Sequence, residues 1–241
     1  MEAKKELGQH FLINEGVAQR IASLLKDENL ILEVGGGRGA LTEKLINLNT
    51  KIVVLELDRD MVNFLKKRFE KVYDFYLIRG DGRNLKVRKE CSVCGNLPYN
   101  MAKPIIKNFI KQFEFVRKMV FMVQREVAET IVAESGSRSF NKFSVLCQLY
   151  YTTKKVFDVK PGSFNPKPRV DSSVVVFERK STYTNINGTF FRFLDKLFSH
   201  PRKTVKNNLK MDLGNSINMK RPSDLTIDEI IEIWRKRWQM Q

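Results

Sequence analysis

The chain has 241 residues, 42% of them hydrophobic, so it can bury a sizeable core and is not a disordered polyelectrolyte. Its 43 lysines and arginines against 27 acids give a formal net charge of +16, which points to a polyanionic partner, most simply nucleic acid. No apolar run reaches the roughly 18 residues of a membrane span, and Met1-Glu2-Ala3-Lys4-Lys5 has no apolar stretch behind it of the kind a secretory signal carries.

Asn14 to Leu25 places Val17, Ile21, Leu24 and Leu25 at helical spacing, with Asn14 as the N-cap. Leu30 to Val34 reads as a short buried strand that runs into glycines. A helix over 41–48, a strand over 51–56, a helix over 61–69 and a strand over 75–78 follow. Cys91 to Gly95 reads as a fourth strand, 104–113 as a helix, 118–123 as a fifth strand and 125–134 as a helix. Cys91 and Cys94 have C-x-x-C spacing, but no second pair exists, and His10 and His200 are far away in sequence. They are expected to be reduced, buried strand residues that hold no metal, in keeping with a cytoplasmic protein.

Ser135 to Ser139 is a polar break. A helix over 143–151 and two β-like runs, 155–159 and 173–177, follow it; the short connection fits an antiparallel pair at the sheet edge. After the polar run 181–188, helical patterns recur over 190–198, 202–209 and 226–237. The expected architecture is α/β, a mostly parallel seven-stranded sheet with a small all-α C-terminal domain. The expected boundary separates residues 1–180 from 181–241.

The loop Glu33-Val34-Gly35-Gly36-Gly37-Arg38-Gly39 joins the first strand to the next helix, where glycines let the backbone approach a ligand. Glu56 ends the second strand about 20 residues later, where an acid can grip ribose hydroxyls. The pair implies an adenosine-containing cofactor, NAD or S-adenosylmethionine. Three details favour the second: the spacing is G-x-G-x-G rather than G-x-G-x-x-G, Glu33 can balance a cationic amino-acid moiety, and Asp81 after the third strand can accept from an adenine amino group.

Asn96-Leu97-Pro98-Tyr99 lies just past the fourth strand. The amide and the carbonyls around the proline can accept from an exocyclic amine, and the ring offers a face to a base. In isolation the tetrapeptide is also compatible with an ordinary turn.

These segments occur in order with Gly8-Gln9-His10-Phe11-Leu12 and Phe164-Asn165-Pro166-Lys167-Pro168-Arg169-Val170-Asp171-Ser172. As a set they resemble the ribosomal-RNA adenine N6,N6-dimethyltransferases that act on small-subunit RNA, over roughly residues 4–210. The resemblance implies a Rossmann-like class I methyltransferase domain and S-adenosyl-L-methionine bound by His10, Leu12, Gly35, Glu56, Asp81 and Asn96. It also implies two neighbouring adenines near the 3′ end of small-subunit RNA as targets, each methylated twice. Gly36 stands where many relatives carry proline, which is expected to alter loop stiffness rather than activity. Large-subunit RNA methyltransferases that confer macrolide resistance share the fold and the loop type, but 202–209 and 170–175 look like the small-subunit branch.

Catalysis is then expected from Asn96, Leu97, Pro98, Tyr99 and Phe164. The Asn96 side chain and Pro98 carbonyl accept the two amine N–H bonds, while Tyr99 and Phe164 stack on the two faces of the base. Lys4, Lys5, Arg202, Lys203, Lys206 and Lys210 are the expected RNA contacts, with Arg202, Lys203 and Lys206 on one helix face. The expected partner is small-subunit ribosomal RNA within an immature 30S-type particle, bound by a monomer without metal or membrane. A nicotinamide oxidoreductase has no use for residues 96–99. A DNA adenine methyltransferase would carry a second proline at Leu97, and a purely RNA-binding assembly factor would not need the cofactor constellation.

Overall fold

The structure is a computed structural model that describes Lys4 and residues 8–237. The elements in chain order are β1 (Phe11–Leu12), α1 (Glu15–Ser23), β2 (Leu30–Val34), α2 (Ala40–Ile46), β3 (Lys51–Glu56), α3 (Arg59–Arg68), β4 (Phe75–Arg79), β5 (Cys91–Asn96), α4 (Ala102–Ile110) and β6 (Val116–Gln124). They continue with α5 (Arg125–Ile131), α6 (Lys142–Tyr150), β7 (Tyr151–Val159), β8 (Phe164–Asn165), β9 (Ser172–Arg179), α7 (Gly188–Leu197), α8 (Val205–Leu209), α9 (Asn215–Asn218) and α10 (Ile227–Arg237). The chain divides into two compact units, residues 1–128 with 152–179, and residues 129–151 with 180–241.

The first unit holds a seven-stranded sheet in the order β4-β3-β2-β5-β6-β9-β7. The pairs β4–β3, β3–β2, β2–β5 and β5–β6 are parallel, and β9 runs antiparallel to β6. Strand order reverses between β2 and β5, because β3 and β4 extend one way and β5 and β6 the other. In such sheets, ligands bind outside the carboxyl ends of the strands at the reversal. The packing there is close: a Cβ on Gly95 would lie 2.3 Å from the Val34 carbonyl oxygen, so β5 needs glycine where it passes β2.

Local signals explain most helix starts. Asn14 accepts a hydrogen bond from the Val17 N–H at 3.0 Å and caps α1, and Asp58 caps α3 through the Asp60 N–H. A second, two-stranded sheet pairs β1 antiparallel with β8. Nothing local announces it, since each strand has only two residues and they lie about 150 positions apart in sequence.

The second unit includes more than the expected C-terminal tail. Residues 129–151, expected with the first domain, belong to it, while the later break falls between 179 and 180. α6 buries seven of its nine residues and packs against α10, so it has no polar face to present to water. In the same unit the indole N–H of Trp234 donates to Thr189 at 2.9 Å, and its ring meets Phe190 edge-on at 5.3 Å. The buried Asn208 holds the turn between α7 and α8 by accepting from Ser199 and the His200 N–H and donating to the carbonyls of His200, Lys203 and Thr204. That turn shortens the expected helix over 202–209: Thr204 caps α8, and Arg202 and Lys203 precede it.

Candidate active site

The carboxyl ends of β2, β3, β4 and β5 open into one cleft of about 190 Å³, well over ten times what one water needs. The expected cofactor residues His10, Leu12, Gly35, Glu56, Asp81 and Asn96 all line it, as do Leu97, Pro98 and Tyr99. Phe164 does not. It is 1% exposed and sits in the core with Leu12, held there by the β1–β8 pairing. The expected second stacking face is therefore corrected: the proline-flanked loop folds its aromatic inward, where burying the ring is worth more than exposing it.

At the glycine loop, the Gly37 N–H donates to Glu56 Oε2 at 2.8 Å, and the Asp58 N–H donates to Oε1 at 2.9 Å. Burial raises the Glu56 carboxyl above its ordinary value, against the lowering pull of these N–H donors. Each carboxylate oxygen has further lone pairs, so the side chain can still accept from ligand hydroxyls. Glu33 is 1% exposed and accepts from the Thr42 hydroxyl at 2.6 Å. Burial pushes its carboxyl up to about 8, with Thr42 pulling it down and Glu56 adding to the rise. A buried carboxyl lining a cleft is a costly group whose natural counterpart is a cation. Gly36 is a packing glycine: a Cβ there would lie 2.5 Å from Val54 Cγ1 and 2.9 Å from Leu65 Cδ1.

Asp81 is occupied in a way its sequence did not announce. The Arg83 guanidinium binds both of its oxygens, at 2.9 and 2.6 Å on Oδ2 and 3.1 Å on Oδ1, and the Arg83 N–H adds a bond at 2.8 Å. Arg83 holds the carboxyl below its usual range. An amino group approaching Asp81 competes with that guanidinium.

The N-terminal segment orients the loop past β5. The Asn96 side-chain N–H donates to the His10 carbonyl at 2.8 Å, which fixes the amide and leaves Oδ1 without a partner among the described residues. The Pro98 carbonyl already accepts from the Met101 N–H at 2.9 Å, whereas the Leu97 carbonyl has no partner among the described residues. Tyr99 packs at 5.2 Å from the His10 ring, and its phenol bonds the Ser172 hydroxyl at 2.8 Å. Burial raises the Tyr99 phenol, against the pull of Ser172. Ser172 closes the motif over 164–172 yet was not singled out, because its partner is 73 residues away.

The expected RNA contacts are scattered. Lys4 bridges Asp58 at 2.7 Å and Asp60 at 2.8 Å, and Gln9 donates to Asp58 at 3.1 Å. Burial acts to raise Asp58, but these donors and the Asp60 N–H outweigh it and hold the carboxyl low. Lys4 is thus a clasp that ties the N-terminal segment beside Glu56, which corrects its expected role on phosphates. Lys5 lies outside the described residues. Arg202, Lys203, Lys206 and Lys210 are all exposed in the second unit, Lys206 within 3.8 Å of Asp212, but they do not share one helix face. Cys91, Cys94 and Cys147 are free and buried. No helix among the described residues is long and apolar enough to cross a membrane.

A glycine loop after β2, an acid ending β3 and an Asn-Leu-Pro-Tyr loop after β5, set at the reversal of a mixed sheet, define a class I methyltransferase. The family of ribosomal RNA adenine dimethylases matches residues 1–236. The chain is 35% identical over 239 residues to a ribosomal RNA small subunit methyltransferase A of Thermotoga maritima, covering 97% of this chain and 85% of that one. It is 37% identical over 213 residues to the protein of that name from Malacoplasma penetrans, covering 86% and 78%. A dimethyladenosine transferase from Plasmodium falciparum superposes with a TM-score of 0.84 at 25% identity, covering 94% and 97%. A 23S rRNA methyltransferase, ErmE, shares the fold with a TM-score of 0.72 at 17% identity, covering 92% and 98%. The chain belongs to the ribosomal RNA adenine dimethylase family. It is a methyltransferase, and its methyl donor is S-adenosylmethionine.

Proposed function

We propose that the chain dimethylates N6 of two adjacent adenines near the 3′ end of small-subunit ribosomal RNA. It does so as a monomer in the cytoplasm, on an immature 30S-type particle. Family membership and the names of its relatives support the substrate class. The observation that carries the chemistry is the Asn96 amide, turned by His10 so that Oδ1 is left to accept.

S-adenosylmethionine supplies an electrophilic methyl group on a sulfonium. In this reading Glu56 holds ribose hydroxyls, Asp81 takes the cofactor's adenine amino group in place of Arg83, and Glu33 faces the cationic end. The target amine is a weak nucleophile because its lone pair is delocalised into the ring. Asn96 Oδ1 and the Leu97 carbonyl accept its two N–H bonds, which localises the lone pair on nitrogen. Leu97 replaces Pro98 as the second acceptor because the Pro98 carbonyl already closes a turn. As the N–C bond forms and the methyl's bond to sulfur breaks, which would leave a neutral thioether, positive charge develops on nitrogen and both acceptors interact with it more strongly. Neither acceptor is a strong base, so the proton leaves to solvent once the nitrogen is cationic. Tyr99, pinned by Ser172, holds one face of the flipped base, and stacking offsets part of the cost of extrusion. Arg202, Lys203, Lys206 and Lys210 hold RNA phosphates.

The test is transfer of labelled methyl to immature small subunits, followed by mapping of the modified bases. Label on two adjacent adenines near the 3′ end is the expected result. Label confined to large-subunit RNA, or none, overturns the reading.

A further inference from the structure

The residues from Ala102 to Gln112 contain three lysines, Lys103, Lys107 and Lys111, and no acid. All three are exposed on α4 or at its C-cap, while Ile105, Ile106, Phe109 and Ile110 face the core. Spacing of four puts the lysines in one row, each about 6 Å further along the axis. A solvated helix face normally alternates charges, because like charges four apart repel and destabilise the helix. This row repeats that like-charge spacing twice.

A second basic segment lies alongside. Asn108 donates to the carbonyls of Gly82 and Leu85 at 2.9 and 3.0 Å, and Gln112 donates to Leu85 at 2.9 Å and accepts the Val87 N–H at 2.7 Å. Four bonds thus clip residues 82–87 along α4, and the segment carries exposed Lys86 and Arg88 with no acid between 82 and 89. The acids at its two ends are paired, Asp81 with Arg83 and Glu90 with Arg179. α4 begins three residues after Tyr99.

We infer that α4 and the clipped segment form a phosphate track for the RNA strand flanking the target adenine. The strand leaves the mouth of the cleft at Lys103 and follows Lys107 and Lys111, with Lys86 and Arg88 on its flank. The inference rests on the RNA-methyltransferase reading above and adds a binding surface on the catalytic unit itself.

The experiment measures binding of a hairpin from the 3′ end of small-subunit RNA as a function of salt, using Lys103→Gln/Lys107→Gln/Lys111→Gln. A charge-matched control carries Lys66→Gln/Lys67→Gln/Lys71→Gln, three exposed lysines on and just beyond α3. Each lost phosphate contact lowers the slope of log affinity against log salt by about 0.7–0.9, so the α4 variant should lose about 2–3 in slope. It should also bind roughly 10- to 100-fold more weakly near physiological salt. The control should keep the wild-type slope, and all proteins should bind S-adenosylmethionine equally. The single charge reversal Lys107→Glu should shift affinity the same way. An unchanged slope in the α4 variant, or an equal loss in the control, overturns the track. Failure of the substrate reading shows separately, as wild-type protein that binds the hairpin but transfers no methyl to immature small subunits.

Discussion

Asn96 carries two assignments that the structure separates by atom. Its N–H₂ is held by the His10 carbonyl, and its oxygen faces the chemistry. Asn96→Ala should lower kcat by about 10²–10³, the usual loss when one charge-stabilising group is removed. Cofactor affinity should change far less, since the Glu56, Glu33 and glycine-loop contacts persist. Single-turnover methyl transfer alongside a cofactor titration checks this, and near-normal turnover would refute it. Glu33 gives a prediction in pH. Folded, its carboxyl stays protonated up to about 8, against an ordinary value of 4.5. Between those values the folded state binds the extra proton, so stability falls as pH rises through the window. At about 1.4 kcal/mol per unit, the loss is on the order of 3 kcal/mol after allowing for relaxation. Glu33→Gln should therefore gain melting temperature over wild type as pH goes from 5 to 8.5, in the absence of cofactor. A constant difference across that range would contradict the burial argument.

Elements set these side chains in place through close contacts that a motif does not display. The glycine loop reads as a ligand-binding feature, and Gly36 reads as a soft substitute for proline. Its surroundings say otherwise, because Val54 and Leu65 fill the space that a side chain would need. Gly36→Ala should cost about 1–3 kcal/mol through overpacking, and Gly36→Ala with Val54→Ala should recover part of it. Thermal melts of the two variants decide between packing and loop stiffness. Strand ends were legible because the parallel strands are short apolar runs that stop at glycine, acid or amide. The two-residue pair β1–β8 was not, and with it went the placement of Phe164. No periodicity distinguishes a core phenylalanine from a stacking one when both sit among prolines.

At the scale of the whole molecule, the chain leaves the first unit near residue 128, returns at 152 and leaves again at 180. A truncation after Arg179 would leave α6 without α10, with seven formerly buried residues facing water. Such a fragment should aggregate or bind a hydrophobic dye, whereas the intact chain should not. A soluble, cooperatively melting fragment would show that 129–151 belongs with the first unit. The charge of +16 is likewise a global quantity whose location matters more than its size. Lys4 is consumed by the Asp58 and Asp60 clasp, while the α4 lysines, unremarkable as letters, line up only once the helix is built.

The sequence by itself determined the α/β class, the cofactor and much of the lining of the cleft, since Gly35, Glu56, Asp81 and Asn96 sit at or just past the ends of adjacent parallel strands. Each of these four is marked by its own neighbours, and the fold merely gathers strand ends that local pattern had already identified. His10 and Leu12, by contrast, were indicated only by the family resemblance. Only the tertiary structure decided which way Asn96 turns, that Arg83 holds Asp81, that Phe164 is core and that Lys4 is a clasp. Asn96 depends on a partner 86 residues away and Lys4 on one 54 away, Phe164 on burial, and only Arg83 on a neighbour two positions off. Pairings of that kind are set by packing and by the satisfaction of buried polar groups, which no local run of residues encodes.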